Sequence, residues 1–200
     1  MEFMIDRSGA PAIKFSGTKY IYILPVTKYQ FERFIWSTAP SWCDYEKIIE
    51  DTGRISPHEI NIKNLSSAFL TNINFEEAQE ICRWLCGRLP TVKEWDEVYE
   101  MVFSNYLLFD EALKYMTEMK EKRKIDIRIL KLLEHLHRLG IKRRDLNSSI
   151  GELVSEFPVE PYGRIYLKHN QEQALITGSP SKKTRGNNFG LCCVLSYVDE

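Results

Sequence analysis

Side chains that could bind a metal or act as a nucleophile are few in this sequence, and their spacing is poor for either task. Cys82 and Cys86 are spaced i, i+4 on a predicted helix and could supply two corners of a zinc site. No second ligand pair follows at a usable spacing, so we interpret both as core thiols. His135 and His137 are two residues apart and point in different directions on a helix, so we expect them to face solvent.

The adjacent Cys192 and Cys193 are the other candidate pair, and they fall in a predicted closing strand. Successive strand residues point to opposite faces, so the two thiols cannot act as a shared pair without distortion. No nucleophile motif supports any combination of serine, histidine and aspartate. The residues alone therefore supply no catalytic constellation.

The charge composition of the chain limits the classes of partner that it can be expected to bind. The 200 residues carry 27 Lys+Arg against 28 Asp+Glu, a formal net charge of −1. Such a surface has no global field to attract nucleic acid or an anionic membrane. No signal-peptide pattern and no apolar run of ~20 residues is visible, which excludes a membrane partner and predicts a cytoplasmic protein with reduced thiols. Direct contact with nucleic acid is not expected.

The elements that would position these side chains begin with a strand and a helix. Residues 19–26 are rich in β-branched and aromatic side chains and predict a strand. Thr27 then caps a helix whose apolar positions are Phe31, Phe34 and Ile35, at i, i+3 and i+4.

Two capped helices follow. Asn74 with an acidic residue at N3 begins one over residues 75–86, and Thr91 begins another over residues 91–103, joined by a tight link at 87–90. Gly87 is expected to stop the first helix, and Trp84, Leu85, Leu89 and Trp95 are expected to be largely buried.

Residues 105–140 are predicted to be helical, and Gly140 is a natural residue to follow the last helix. From residue 151 onward the pattern returns to short strands, with candidates at residues 164–167, 174–176 and 191–197.

Residues 69–99 carry the most specific motif in the chain, with Cys-Arg-Trp-Leu-Cys-Gly-Arg-Leu-Pro-Thr-Val-Lys-Glu-Trp at residues 82–95. This stretch resembles the signature of the formylglycine-generating-enzyme family. Weaker resemblances begin at Pro25, Gly151, Ala174 and Asn188, in the family's order. The resemblance implies an α+β, C-type-lectin-like fold with short irregular antiparallel strands and two signature helices. It implies one domain over residues 1–200, with a helical insertion at about 105–140.

This sequence departs from the family pattern at the positions that bind copper and calcium in the family. Catalytic members hold a copper-binding cysteine pair before the closing strand, but residues 180–188 here contain no cysteine. The resemblance therefore implies a pseudoenzyme with no catalytic residue and no cofactor. The family's structural calcium would fall to Asn147, Gly151 and Glu156, although each interval is one residue too long and Ser155 stands at the position of the family's glutamate.

The function that this resemblance implies is a non-catalytic protein-binding or scaffold module. It would belong to a hetero-complex within a larger intracellular assembly, of the kind found among bacterial defence and phage proteins. Two alternatives stay open: a metal- and oxygen-dependent oxidoreductase of the formylglycine-generating or sulfoxide-synthase type, and a variable ligand-binding protein of the diversity-generating kind.

The candidate partner-binding residues are apolar or aromatic. They are Leu113, Met116, Met119, Trp36 and Trp42. The first three form an apolar stripe on the helical block, which must be buried against something. Docking of a partner and packing on the chain's own core are both open interpretations of that stripe.

Overall fold

The protein is described by a computed structural model over residues 1–43, 68–122, 124–147, 151–155, 163–169, 172–176 and 189–196. These residues form the α+β fold that the sequence predicts. The strands are β1 (Phe3–Ile5), β2 (Pro11–Ser16), β3 (Lys19–Tyr22), β4 (Gly87–Arg88), β5 (Gly151–Ser155), β6 (Gly163–His169), β7 (Glu172–Ile176), β8 (Phe189–Leu191) and β9 (Val194–Ser196). The helices are α1 (Lys28–Thr38), α2 (Phe75–Trp84), α3 (Val92–Val98), α4 (Leu108–Lys120), α5 (Ile127–Arg138) and α6 (Arg143–Asn147), and a π-helical turn at Tyr99–Phe103 continues α3.

One sheet has the order β1-β2-β3-β9-β4 with antiparallel neighbours throughout. In its middle, Ile21 pairs with Val194, and Leu195 pairs with Gly87. A Cβ atom on Gly87 would lie 2.5 Å from the carbonyl oxygen of Val194. Glycine is therefore needed where β4 meets β9.

A second sheet has the order β7-β6-β5-β8, in which β5 and β8 run parallel. The predicted closing strand at 191–197 is in fact two strands, β8 in this sheet and β9 in the other. Cys192 and Cys193 form the crossing between them. The strands predicted near residues 164 and 174 are confirmed as β6 and β7.

Capping boxes begin α1, α2 and α3, and each N-cap is the predicted residue. In each box the N-cap side chain accepts a hydrogen bond from the N3 backbone, and the N3 side chain accepts one from the N-cap backbone. The pairs are Thr27 with Gln30, Asn74 with Glu77, and Thr91 with Glu94. These local bonds satisfy donors that would otherwise be unpaired at the start of each helix.

The signature helices bury most of the predicted residues. Leu85, Leu89 and Trp95 are buried as expected. Trp84 is only half-buried, contrary to the prediction: its indole packs edge-on against Phe34 at 5.7 Å and lies 5.2 Å from the guanidinium of Arg7. Helix α2 ends through Cys86, whose φ of 60° is left-handed, and not through Gly87 as predicted.

The helical block consists of α4 and α5, which pack against each other, and α4 also contacts β1. Phe3 stacks on Tyr115 with ring centroids 5.5 Å apart.

The end of α5 is confirmed at Gly140, whose φ is 70°. There the N–H of Ile141 donates to the carbonyl of Leu136 at 3.0 Å, as in a Schellman motif. Among the described helices, none is long and apolar enough to span a bilayer.

Glu94 connects α3 to β3 and β4. Its carboxylate accepts two hydrogen bonds from Arg88 at 2.6 Å and one from Lys19 at 2.9 Å. Burial acts to raise the pKa of Glu94, but the hydrogen bonds from Arg88, the Thr91 backbone and Lys19 outweigh it and hold the pKa at about 2. Because this pKa lies below the usual 4.5, the stabilisation is present above pH 4.5 and is lost as the pH falls towards 2.

We expect Glu94→Gln to lower the free energy of unfolding by about 2 kcal/mol at pH 7, since its partners are half-exposed and solvent screens the ion pairs. The loss of stability between about pH 4.5 and pH 2 should also be smaller in this variant than in the wild type. Urea titrations at pH 7 and pH 3 measure both effects. Glu97→Gln, on the exposed side of the same helix, is the matched control. Equal acid sensitivity in the two variants would contradict this role for Glu94.

Candidate functional site

A cluster of titratable side chains lies in the core between β3, α2 and the crossing from β8 to β9. The Tyr22 hydroxyl donates a hydrogen bond to the Asp6 carboxylate. The Cys192 thiol donates to the carbonyl of Tyr22 at 3.3 Å, and the Cys193 thiol is hydrogen-bonded to that of Cys82. All three thiols are fully buried. The cluster therefore joins three cysteines to a buried phenol and carboxylate.

Burial and neighbouring groups favour the protonated forms of Cys193 and Tyr22. Burial raises the pKa of the Cys193 thiol well above its usual value, and the hydrogen bond with Cys82 and the nearby Asp6 raise it further. Burial likewise raises the pKa of the Tyr22 hydroxyl, with Asp6 and Cys193 adding to the effect. Soft metals and electrophiles react with the thiolate and not with the thiol. At Cys193 this arrangement therefore disfavours the thiolate that nucleophilic or copper chemistry uses.

The remaining candidate ligands are dispersed. Cys82 is confirmed as a core thiol, but the same prediction is wrong for Cys86, which is exposed because the left-handed turn at the end of α2 carries it outward. His137 is exposed as predicted and lies 3.4 Å from the Asp110 carboxylate. His135 is half-buried on α5, so the expectation of solvent exposure holds only in part for it.

The calcium candidates do not form a described site. Asn147 ends α6 and Gly151 begins β5, where it pairs with Phe189. Glu156 lies outside the described residues. Within the described ranges, no group of three or more histidine, cysteine, aspartate or glutamate side chains is placed to hold a metal ion. Calcium binding stays a prediction.

The apolar stripe on the helical block is fully buried at one of its three positions, which corrects one docking candidate. Met116 is fully buried, so it cannot act as an exposed docking residue in this conformation. Leu113 and Met119 are half-buried beside it. The physical reason is that α4 and α5 cover each other and close on β1, which uses the stripe within the chain.

The two tryptophan candidates have different environments. Trp42 is half-buried, stacks with Phe31 and Phe34 at centroid distances of 6.3 and 6.0 Å, and donates from Nε1 to Glu80 at 2.6 Å. Trp36 is 88% exposed. Of the five partner-binding candidates, Trp36 presents the largest free aromatic surface.

A cationic cleft was not predicted from the sequence. Its basic side chains are Arg7, Arg33 and Lys124, which come from the loop after β1, from α1 and from the α4–α5 connection. They are scattered over more than a hundred residues and follow no periodic pattern. Only the tertiary fold brings them together.

Of the comparisons with known proteins, the one with protein-family models gives a match. No curated protein and no solved structure matches the chain. Residues 10–104 match the family model of the sulfatase-modifying factor enzyme 1-like domain, FGE-sulfatase. The matched range begins just before β2 and includes all three capped helices and the π-helical turn. Residues 10–104, just under half of the chain, are therefore similar to the FGE-sulfatase family.

Proposed function

We propose that this chain is a non-catalytic member of the family that binds another protein, as a subunit or accessory protein of a larger assembly. The observation that carries the proposal is the complete burial of Cys192 and Cys193 at the crossing between the sheets. Each thiol already has an internal hydrogen-bond partner, the Tyr22 carbonyl for one and Cys82 for the other. Copper-dependent oxidation of a substrate thiol needs accessible thiolates, which this arrangement disfavours.

Support for the binding half of the proposal comes from α1. Phe31 and Phe34 on one side of this helix are 1% exposed and anchor it in the core, whereas Trp36 on the other side is 88% exposed. An indole held on a rigid helix and left in solvent is typical of residues that dominate protein interfaces. The cytoplasmic location and the bacterial or phage context stay predictions.

We expect Trp36→Ala to weaken the complex with the partner at least about tenfold, because truncating a central interface tryptophan commonly costs 2 kcal/mol or more. The partner would be captured from the native host, identified by mass spectrometry and purified for titration with both forms. Thermal stability should change little, since the indole buries almost no surface within the chain. Met101→Ala is the matched control, because Met101 is 63% exposed on the π-helical turn, and it should change affinity less than about twofold.

The non-catalytic proposal would be contradicted if the protein had enzyme activity, and this can be tested directly. The protein would be incubated with copper(I), oxygen and a cysteine-containing sulfatase peptide. Turnover that disappears in Cys192→Ser or Cys193→Ser would overturn the non-catalytic proposal. A partner complex with equal affinity for wild type and Trp36→Ala would overturn the assignment of the interface to α1.

A further inference from the structure

The cationic cleft, defined by Arg7, Arg33 and Lys124, has a volume of about 400 Å³. It opens between the loop after β1, helix α1 and the connection from α4 to α5. Among its described lining residues, the only carboxylate is Asp6. Three cations therefore line the cleft together with one acidic group.

Few of these cations are neutralised by the chain. Lys124 is exposed and has no carboxylate partner among the described residues. Arg7 donates to the carbonyl of Trp84 at 3.0 Å and not to a described carboxylate. Arg33 contacts Asp126 through Nε at 3.2 Å; Asp126 also binds Arg128 at 3.0 Å, and Arg128 has a second carboxylate partner in Glu32 at 2.7 Å. The cleft retains positive charge after these contacts are made.

Asp6 offsets one of the three positive charges, and its oxygens also hold the adjacent loop in place. They accept hydrogen bonds from the Ser8 backbone at 3.0 Å, the Ser8 hydroxyl at 2.8 Å, the Ala10 backbone at 2.7 Å and the Tyr22 hydroxyl. Asp6 is also 8% exposed. Its role is to shape the loop that forms the wall of the cleft.

Helix α1, which contributes Arg33 to the cleft, also carries an exposed aromatic side chain. Trp36 follows Arg33 by three residues on α1, and residues at this spacing are neighbours on a helix surface. An incoming chain that places an acidic group on Arg33 can therefore place an apolar group on the indole. The cleft and the proposed interface at Trp36 therefore share helix α1.

We infer that the cationic cleft binds an acidic peptide segment of the protein partner, with its carboxylates against Arg7, Arg33 and Lys124. This inference rests on the proposed function and names the chemistry of the partner. A short peptide suits the site better than a long nucleic acid, because the positive charge is confined to one cleft of a protein whose net charge is −1. Helix α2 also presents Glu76 and Glu80 to a separate cleft, where a long polyanion would be repelled.

Binding of fluorescein-labelled hexaglutamate, followed by anisotropy, tests the inference. We expect Lys124→Glu to weaken binding about fivefold or more, since a charge reversal beside the ligand removes an attraction and adds a repulsion. Lys114→Glu makes the same change in net charge on the exposed side of α4, away from the cleft, and should weaken binding less than about twofold. Hexaglutamine should not bind, and raising the salt from about 50 to 500 mM should weaken hexaglutamate binding.

Other outcomes overturn the inference. Equal effects of the two lysine variants, or equal binding of hexaglutamine, would remove the cleft as an acidic-peptide site. Tighter binding of a single-stranded DNA oligomer with the same dependence on Lys124 would replace the peptide by a nucleic acid. The proposed function is judged separately with the purified partner. If Trp36→Ala weakens that complex and Lys124→Glu does not, the protein-binding function stands and the cleft inference fails.

Discussion

Replacement of Gly9 by alanine is expected to lower the free energy of unfolding by at least about 3 kcal/mol or to prevent folding. Gly9 has a φ of +82°, and a Cβ atom there would lie 2.3 Å from the backbone nitrogen of Asp126 and 2.8 Å from the carbonyl carbon of Ile125. Neither atom belongs to a flexible side chain. The same contact includes the hydrogen bond from the Asp126 N–H to the Gly9 carbonyl, at 3.0 Å. A methyl group would push the start of α5 away from the loop after β1.

Two other glycines separate the effect of the contact from that of the backbone conformation. Gly17 and Gly140 have φ values of +50° and +70°, but a Cβ atom on either would meet nothing within 4 Å. Alanine at each should cost about 1 kcal/mol, from left-handed strain alone. Urea denaturation of the three variants under one set of conditions measures the difference. Equal losses of unfolding free energy in all three variants would show that a Cβ atom at Gly9 does not clash with Ile125 and Asp126.

Met116→Glu is expected to lower the free energy of unfolding by about 3–5 kcal/mol, because it places a charge without a partner where the side chain is fully buried. Thr117→Glu, one residue along the same helix and exposed, should cost less than about 0.5 kcal/mol. Chemical denaturation of both variants provides the comparison.

The same pair of variants decides between the two interpretations of the apolar stripe. A Met116→Glu protein that keeps its stability but loses its partner would show that α4 is a docking surface and that Met116 becomes exposed. Loss of stability in that variant alone places Met116 in the core, and the binding surface then lies elsewhere, on α1 in our proposal.

Features determined within a few residues were predictable from the sequence. The N-caps Thr27, Asn74 and Thr91 depend on side chains no more than three positions away, so their chemistry can be recognised without the tertiary fold. The turn after α5 is equally local, because Gly140 can adopt a left-handed φ at little cost.

Features that depend on distant partners were not predictable. The spacing of Met116 and its neighbours requires a buried stripe but does not say which surface covers it. Cys86 fits the helical periodicity, yet it is exposed because the last turn of α2 unwinds one residue before the glycine. Arg7, Arg33 and Lys124 meet only because the α4–α5 connection packs on the loop after β1. No periodic pattern in the sequence predicts that these three side chains lie close together.

The position of β9 between β3 and β4 has a consequence for how the protein folds during synthesis. Tyr22 and Cys192, which are in contact, are 170 residues apart in the chain. Contacts of such high sequence separation slow folding, because a long loop must close before the pairing stabilises it. Until residues 194–196 have left the ribosome, β3 and β4 lack the strand between them and expose unpaired backbone edges. The nascent chain therefore has to remain protected from aggregation at least until residues 194–196 have been translated.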